Sequence, residues 1–171
     1  MKRNTIIFIV VGFVFLSLAL LFDYNFPRSY HHTFTKTTDL SKENVEGMFV
    51  NDDFYSEDIL QKYGKKTETS RDVIGYDYFE LKKGLEVAVN KTGKITRFIV
   101  NDSNLETEKG IKIDDQKKDV IRKYGNNYYF RMEQGTDIIG YIDKKRRISI
   151  EFWLSEDDKV VFYRFDNKSM E

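Results

Sequence analysis

The residue types that do chemistry are few in this chain, and their spacing suits little catalysis. The chain of 171 residues has no cysteine and two histidines, His31 and His32, which are adjacent. Disulfides, thiolate zinc sites, a cysteine nucleophile and the lipid-bearing cysteine of a bacterial lipoprotein are therefore excluded. An adjacent histidine pair in a polar stretch has no further ligands beside it to complete a metal site. With no other histidine, neither a Ser-His nor a Cys-His nucleophile system assembles elsewhere. Carboxylates are plentiful, but Asp52-Asp53, Asp114-Asp115 and Glu156-Asp157-Asp158 fall where caps and turns are expected, and there acids bond local backbone N–H groups. These clusters lack the glycine-centred spacing of a calcium loop. The reading is of a protein that is not an enzyme and uses no cofactor and no metal. Lysine plus arginine equals aspartate plus glutamate at 28 each, so no global charge draws the chain to nucleic acid. Charge recognition is local, and the sharpest run is Lys144-Lys145-Arg146-Arg147. That run reads as a solvated turn between strands, with contact to anionic headgroups or teichoic acids as the alternative.

The elements that must hold these residues are written twice. "DILQKYG" at 58–64 returns as "DVIRKYG" at 119–125. In each copy an apolar pair and a tyrosine form one stripe of a short helix, and Gly64 or Gly125 supplies its C-terminal stop. Ser56 and Asp115 stand at the expected N-caps. Residues 75–102 then parallel 140–167, an offset of 65 across the strands against 61 across the helices. Leu85, Val87 and Val89 alternate as Ile150, Phe152 and Leu154 do, a polar turn follows, and Phe98 and Val100 correspond to Tyr163 and Phe165. Each unit reads as helix, strand, strand, strand.

The N-terminus places these units. Lys2 and Arg3 precede an uncharged apolar run over 6–22 that Asp23 closes, about the length of a short membrane-spanning helix. Cations before the run and none directly after it predict a cytoplasmic N-terminus and an outside location for 23–171. Ser17-Leu18-Ala19 offers a signal-peptidase site, and a secreted form is the alternative; Leu20, Leu21 and Phe22 continue the apolar run past that site and favour retention. Residues 23–40 read as a polar stalk. The expected fold class is thus α+β: an N-terminal transmembrane helix at 5–22 after a cytoplasmic 1–4, then the stalk, then two tandem helix-strand-strand-strand repeats with antiparallel sheet at 41–102 and 103–171.

Short helices ending in "KYG", the Gly75-Tyr76 and Gly140-Tyr141 pairs, and alternating strands around a glycine-lysine turn resemble the β-lactamase-inhibitor-protein-like (BLIP-like) fold, in tandem and in a Gram-positive bacterium. Thr92-Gly93-Lys94-Ile95 resembles, as a second choice, a PepSY-like domain. Either resemblance implies an extracytoplasmic binding or inhibitory module.

The sheet face opposite the core carries the candidate site. Alternation places Glu86, Ala88, Asn90, Ile95, Arg97 and Ile99 there in the first unit. Ser149, Glu151, Trp153, Val160, Phe162 and Arg164 take the corresponding places in the second. An antiparallel sheet usually leaves one face wet, so apolar groups and arginines there signal burial by something. The expected partner-binding residues are Trp153, Phe162, Arg164, Glu151 and Arg97. The functional expectation is a membrane-anchored extracytoplasmic module that binds or inhibits an envelope protein. The alternatives are a small cell-wall hydrolase with a carboxylate pair, and a structural spacer.

Overall fold

In the computed structural model, which describes residues 11–14, 27–66, 68–72 and 75–170, the alternating stretches become strands of one sheet. The first half supplies β1 (Ser70–Arg71), β2 (Asp77–Lys82), β3 (Leu85–Val89) and β4 (Ile95–Val100). The second half supplies β5 (Tyr129–Glu133), β6 (Thr136–Asp143), β7 (Ile148–Leu154) and β8 (Val160–Asn167). Besides the helical residues 11–14, the short helices α1 (Arg28–Phe34), α2 (Glu57–Tyr63) and α3 (Lys117–Tyr124) and a 3-10 turn at Lys168–Met170 complete the order among the described residues. The strand order is β1-β2-β3-β4-β8-β7-β6-β5, in a single eight-stranded sheet.

This corrects the expected fold class of an N-terminal transmembrane helix followed by two tandem repeats. The last strands of the two halves, β4 and β8, pair antiparallel, with Phe98 opposite Phe165 and Val100 opposite Tyr163. An unpaired edge exposes a row of backbone donors and acceptors, and pairing β4 with β8 removes two such edges at once. The two strand sets then share one core, which runs from Leu40 and Phe54 through Ile59, Phe98, Val120 and Phe152 to Phe165. Among the described residues no helix is long and apolar enough to cross a membrane. Of the anchor expected over 5–22 only 11–14 are described, as exposed helix, and the rest lies outside the described residues. The expected anchor, and with it the membrane as a partner held through an N-terminal helix, is thus not supported by the described residues.

Helices α2 and α3 lie on the core face. Gly64 (φ 72°) ends α2 with its N–H on the Leu60 carbonyl, and Gly125 (φ 89°) ends α3 with its N–H on the Ile121 carbonyl. Positive φ costs glycine nothing, which is why the repeated phrase stops there. Ser56 is the N-terminal residue of α2, but its side chain makes no capping bond; for α3 that position is Gln116, one residue beyond the expected Asp115. Asp115 instead accepts from the Lys112 N–H at 2.9 Å.

Strict alternation assigned two residues to the wrong face. Val89 pairs with Ile95 while Ala88 pairs with Arg97, so Thr96 is an extra residue in β4, and its hydroxyl donates to the Ala88 carbonyl at 3.1 Å. In the second half Leu154 pairs with Val160 while Trp153 pairs with Phe162, leaving Val161 extra in β8. A bulge of one residue reverses the sense of everything before it. Ile95 and Val160, both expected on the far face, therefore point into the core. The stalk reading is corrected as well: Pro27 leads into α1, whose His31 and His32 are buried against the far face of the sheet.

The bulge in β8 makes a sharp distinction between adjacent valines, since Val160 is 0% exposed and Val161 is 41% exposed. Val160→Asp should lower unfolding free energy by about 3 kcal/mol or more, and Val161→Asp by no more than about 0.5 kcal/mol. Chemical denaturation of the two variants checks this, and equal costs would place the bulge elsewhere.

Candidate functional site

The register across β5 to β8 and β4 arranges the far face in rows. One row runs Tyr129, Gly140, Glu151, Arg164, Ile99; the next runs Ile142, Ser149, Asp166, Arg97; on the other side lie Arg131, Ile138, Trp153, Phe162. Directly opposed residues on one face sit within side-chain reach, so this register alone brings Glu151 beside Arg164 and Asp166 beside Arg97.

Glu151 is 0% exposed and accepts from four side chains. Its Oε1 takes the Tyr129 hydroxyl at 2.5 Å, Arg131 Nε at 2.8 Å and Arg28 Nε at 3.1 Å. Its Oε2 takes Arg131 Nη2 and Arg164 Nη2, each at 2.9 Å. Asp166 receives Arg97 Nε at 2.5 Å on Oδ1. Its Oδ2 lies 2.5 Å from Arg28 Nη2 and 2.8 Å from Arg164 Nε, contacts that are ionic rather than well-aligned hydrogen bonds. Arg97 also donates to the Tyr78 hydroxyl at 3.2 Å, and Arg131 pairs outward with Glu133 at 2.7 Å.

Burial alone would drive both carboxylates toward the neutral form, but the arginines outweigh it. Arg28, Arg131 and Arg164 hold Glu151 far below the ordinary carboxylate range, and Arg28, Arg164 and Arg97 lower Asp166. Burial and the neighbouring Glu151 push the Tyr129 phenol well up, so Tyr129 keeps its proton and donates it to Glu151. The contact of 3.2 Å between His32 Nε2 and the Tyr129 oxygen therefore has the imidazole N–H as donor.

One glycine makes the row possible. A Cβ at Gly140 would lie 2.2 Å from Tyr129 Cζ. The Tyr129 ring crosses the sheet over bare backbone to reach Glu151, and His31 stacks on its other side at 5.3 Å between centroids. Helix α1 thus closes the far face with Arg28, His31 and His32.

The structure brings all five expected site residues together. Trp153, 5% exposed, stacks on Phe162 at 4.5 Å, and the Arg164 guanidinium lies 4.4 Å from its ring centroid. Glu151, Arg164 and Arg97 belong to the ion network. The sequence reading missed Asp166, Arg131, Tyr129, Gly140 and Arg28. Asp166 continues the alternation of Phe162 and Arg164 by one step and was within reach of the same argument. Arg28 was hidden in the supposed stalk. Among the described residues, no three His, Asp or Glu side chains gather as a metal site.

Beside the network a cleft of about 500 Å³ opens at the end of the sheet. Its floor is Ile142, Ile148 and Ser149, and α1 contributes His32 and Thr33. Lys144, Arg147 and Lys168 bring positive charge to its rim, and Asp143 is its carboxylate. The chain after α1 is strapped here: the Thr38 N–H donates to the Ile142 carbonyl at 2.7 Å, and the Leu40 N–H to Asp143 at 3.2 Å.

No protein-family model matches the chain, and no curated protein does. Solved structures do. An extracellular protein containing an SCP domain from Bacillus anthracis is similar over 80% of this chain and 50% of its own, with a TM-score of 0.51 at 13% identity. A cysteine-rich secretory protein from Staphylococcus aureus is similar over 75% of this chain and 48% of its own, with a TM-score of 0.50 at 17% identity. The chain spans about half the length of each, and likeness at this identity concerns the fold alone. These neighbours replace the BLIP-like and PepSY-like resemblances. The motifs behind those resemblances have local causes: Gly64 and Gly125 end helices, and Gly140 admits Tyr129, which a single antiparallel sheet needs as much as a repeat does.

Glu151→Gln should cost about 3–5 kcal/mol, because it leaves buried arginines uncompensated. The folded pKa of Glu151 lies below its unfolded value, so the unfolded chain binds the proton first, and wild-type stability falls as pH drops below roughly 4. Denaturation curves should show this acid slope reduced in the variant; an unchanged slope would remove Glu151 as its source. Gly140→Ala should destabilise by about 2 kcal/mol or more and much less in a Tyr129→Leu background, a coupling that a double-mutant cycle reads directly.

Proposed function

We propose that the chain is a non-catalytic binding module that works outside the cytoplasm on a component of the cell envelope, through the basic cleft beside α1. The observation that carries this reading is the chemistry of that cleft. Lysine, arginine, histidine and hydroxyl groups converge there, whereas its carboxylate is already committed. Asp143 accepts from the Leu40 N–H, from the Arg146 N–H at 3.0 Å and from Arg146 Nη1 at 3.0 Å. Burial opposes its ionisation, yet these backbone and guanidinium donors lower its pKa. A general acid must hold a proton near working pH and hand it over, which a carboxylate tied in this way does poorly. Binding is therefore favoured over the carboxylate-pair hydrolase.

An extracytoplasmic location is supported by the neighbours, one described as extracellular and the other as secretory. Trp153, Phe162, Arg164, Glu151 and Arg97 take an internal part in this reading. Glu151 holds Arg28 of α1 directly, Arg164 and Arg97 share Asp166 with Arg28, and Trp153 and Phe162 pack beside Arg164, so that the network positions His32 and Thr33 at the cleft.

The test is sedimentation of the full chain with purified cell walls, together with wall turbidity over hours. The expected result is co-sedimentation that weakens with added salt, with turbidity unchanged. A chain that stays in solution at low salt, or walls that clear at a rate set by protein concentration, would overturn the reading.

A further inference from the structure

We infer that the cleft takes a phosphate-bearing polyol or sugar, with Arg147 and Lys168 as its principal anion ligands. The inference rests on the binding reading above and adds the chemistry of the ligand. Three features support it, and the first is uncompensated charge. Among the described residues neither Arg147 nor Lys168 has an acidic partner, and Lys144 Nζ donates to the neutral Thr33 carbonyl at 2.8 Å. The acids nearby are already paired, Asp143 and Asp39 with Arg146, and Asp166 beside Ser149 with Arg28, Arg97 and Arg164. The rim thus keeps three positive charges facing one opening.

The second feature is how the two principal cations are held. The Lys168 N–H donates to the Arg147 carbonyl at 2.8 Å, which fixes the start of β7 against the turn that follows β8. Arg147 has φ 58°, a left-handed conformation that glycine or asparagine adopts at lower cost. An arginine kept at a strained position, on the rim of a cleft and without an ion pair, points to a side chain needed there. The third feature is the floor. Ile142 offers an apolar bed with the core residue Ile148 at its edge, and the Ser149 and Thr33 hydroxyls, which bond Arg28 and the Ser29 carbonyl, add polar surface around a volume that greatly exceeds one inorganic anion. A guanidinium with two ammoniums matches a tetrahedral oxyanion, and the mixed floor matches the carbon skeleton that carries it.

The experiment is titration of the isotopically labelled full chain, followed by amide NMR, with glycerol 3-phosphate as monoester and bis(glycerol) phosphate as diester. Saturable shifts are expected at residues 144–149, Thr33 and Lys168 with at least one probe. A monoester preference points to a free polyol or sugar phosphate, and equal binding of the diester points to a phosphodiester polymer; either supports the assignment. Arg147→Gly suits the turn and removes the charge, so it should keep the fold and weaken binding about tenfold or more. Lys145→Gln, on the same turn but off the cleft lining, should change it little. Shifts spread over the whole surface, or equal loss in both variants, would overturn the site and leave only diffuse attraction to a basic turn. Wall binding that survives in Arg147→Gly would overturn the phosphate ligand while leaving the binding reading intact. Cleavage of the diester, followed by ³¹P NMR, would overturn the non-catalytic reading and keep the phosphate assignment.

Discussion

The far side of this molecule depends on keeping two carboxylates, Glu151 and Asp166, ionised where water does not reach them. Removing a carboxylate from water costs several kcal/mol, and the cost is recovered only if its lone pairs are met by well-placed donors. Glu151 alone draws on Arg28, Tyr129, Arg131 and Arg164, and Asp166 on Arg28, Arg97 and Arg164. Three of those arginines come from strands and one from α1. Arg28 touches both acids and Ser149, so it ties a helix too short to stand alone to the middle of the sheet. A network of this kind adds little net stability compared with an apolar core of equal volume. Its contribution is to specify one seat for α1, because an arginine moved by a single helical position leaves a charge unpaired.

That seat in turn makes the cleft. His32 bonds Tyr129 within the network and also lines the opening, and Thr33 follows it at the rim. Ser149 shares the arrangement, receiving Arg28 and forming part of the floor. The core on the opposite face holds the strands in register, and the register sets the rows of charged residues. The rows seat α1, and α1 walls the cleft. Strength therefore resides in apolar packing on one face, and selectivity in polar placement on the other.

Much of the core could be read directly. The alternation of Leu85, Val87, Val89 and of Ile150, Phe152, Leu154 was enough, because side chains of a strand have a period of two and one face must be apolar. Gly64 and Gly125 announced helix ends through their conformational freedom. Ile95 and Val160 were misplaced because Thr96 and Val161 each add one residue to a strand, and alternation carries no mark of such an insertion. Helix α1 was read as stalk since seven residues with two histidines make no clear amphipathic pattern; the face it buries is polar, and its partners lie more than ninety positions away in the chain.

By itself the sequence determined the local matters: where helices stop, which strand residues away from the two bulges face the core, that cysteine and histidine chemistry is scarce, and that Trp153, Phe162, Arg164, Glu151 and Arg97 share the face opposite the core. Each of these follows from neighbours a few residues apart. Only the tertiary structure decided that β4 meets β8, that the halves form one sheet, and that Arg28, Tyr129, Arg131 and Asp166 complete the charge network. Those contacts join residues far apart in the chain, and their energies depend on burial and distance, which no local pattern encodes.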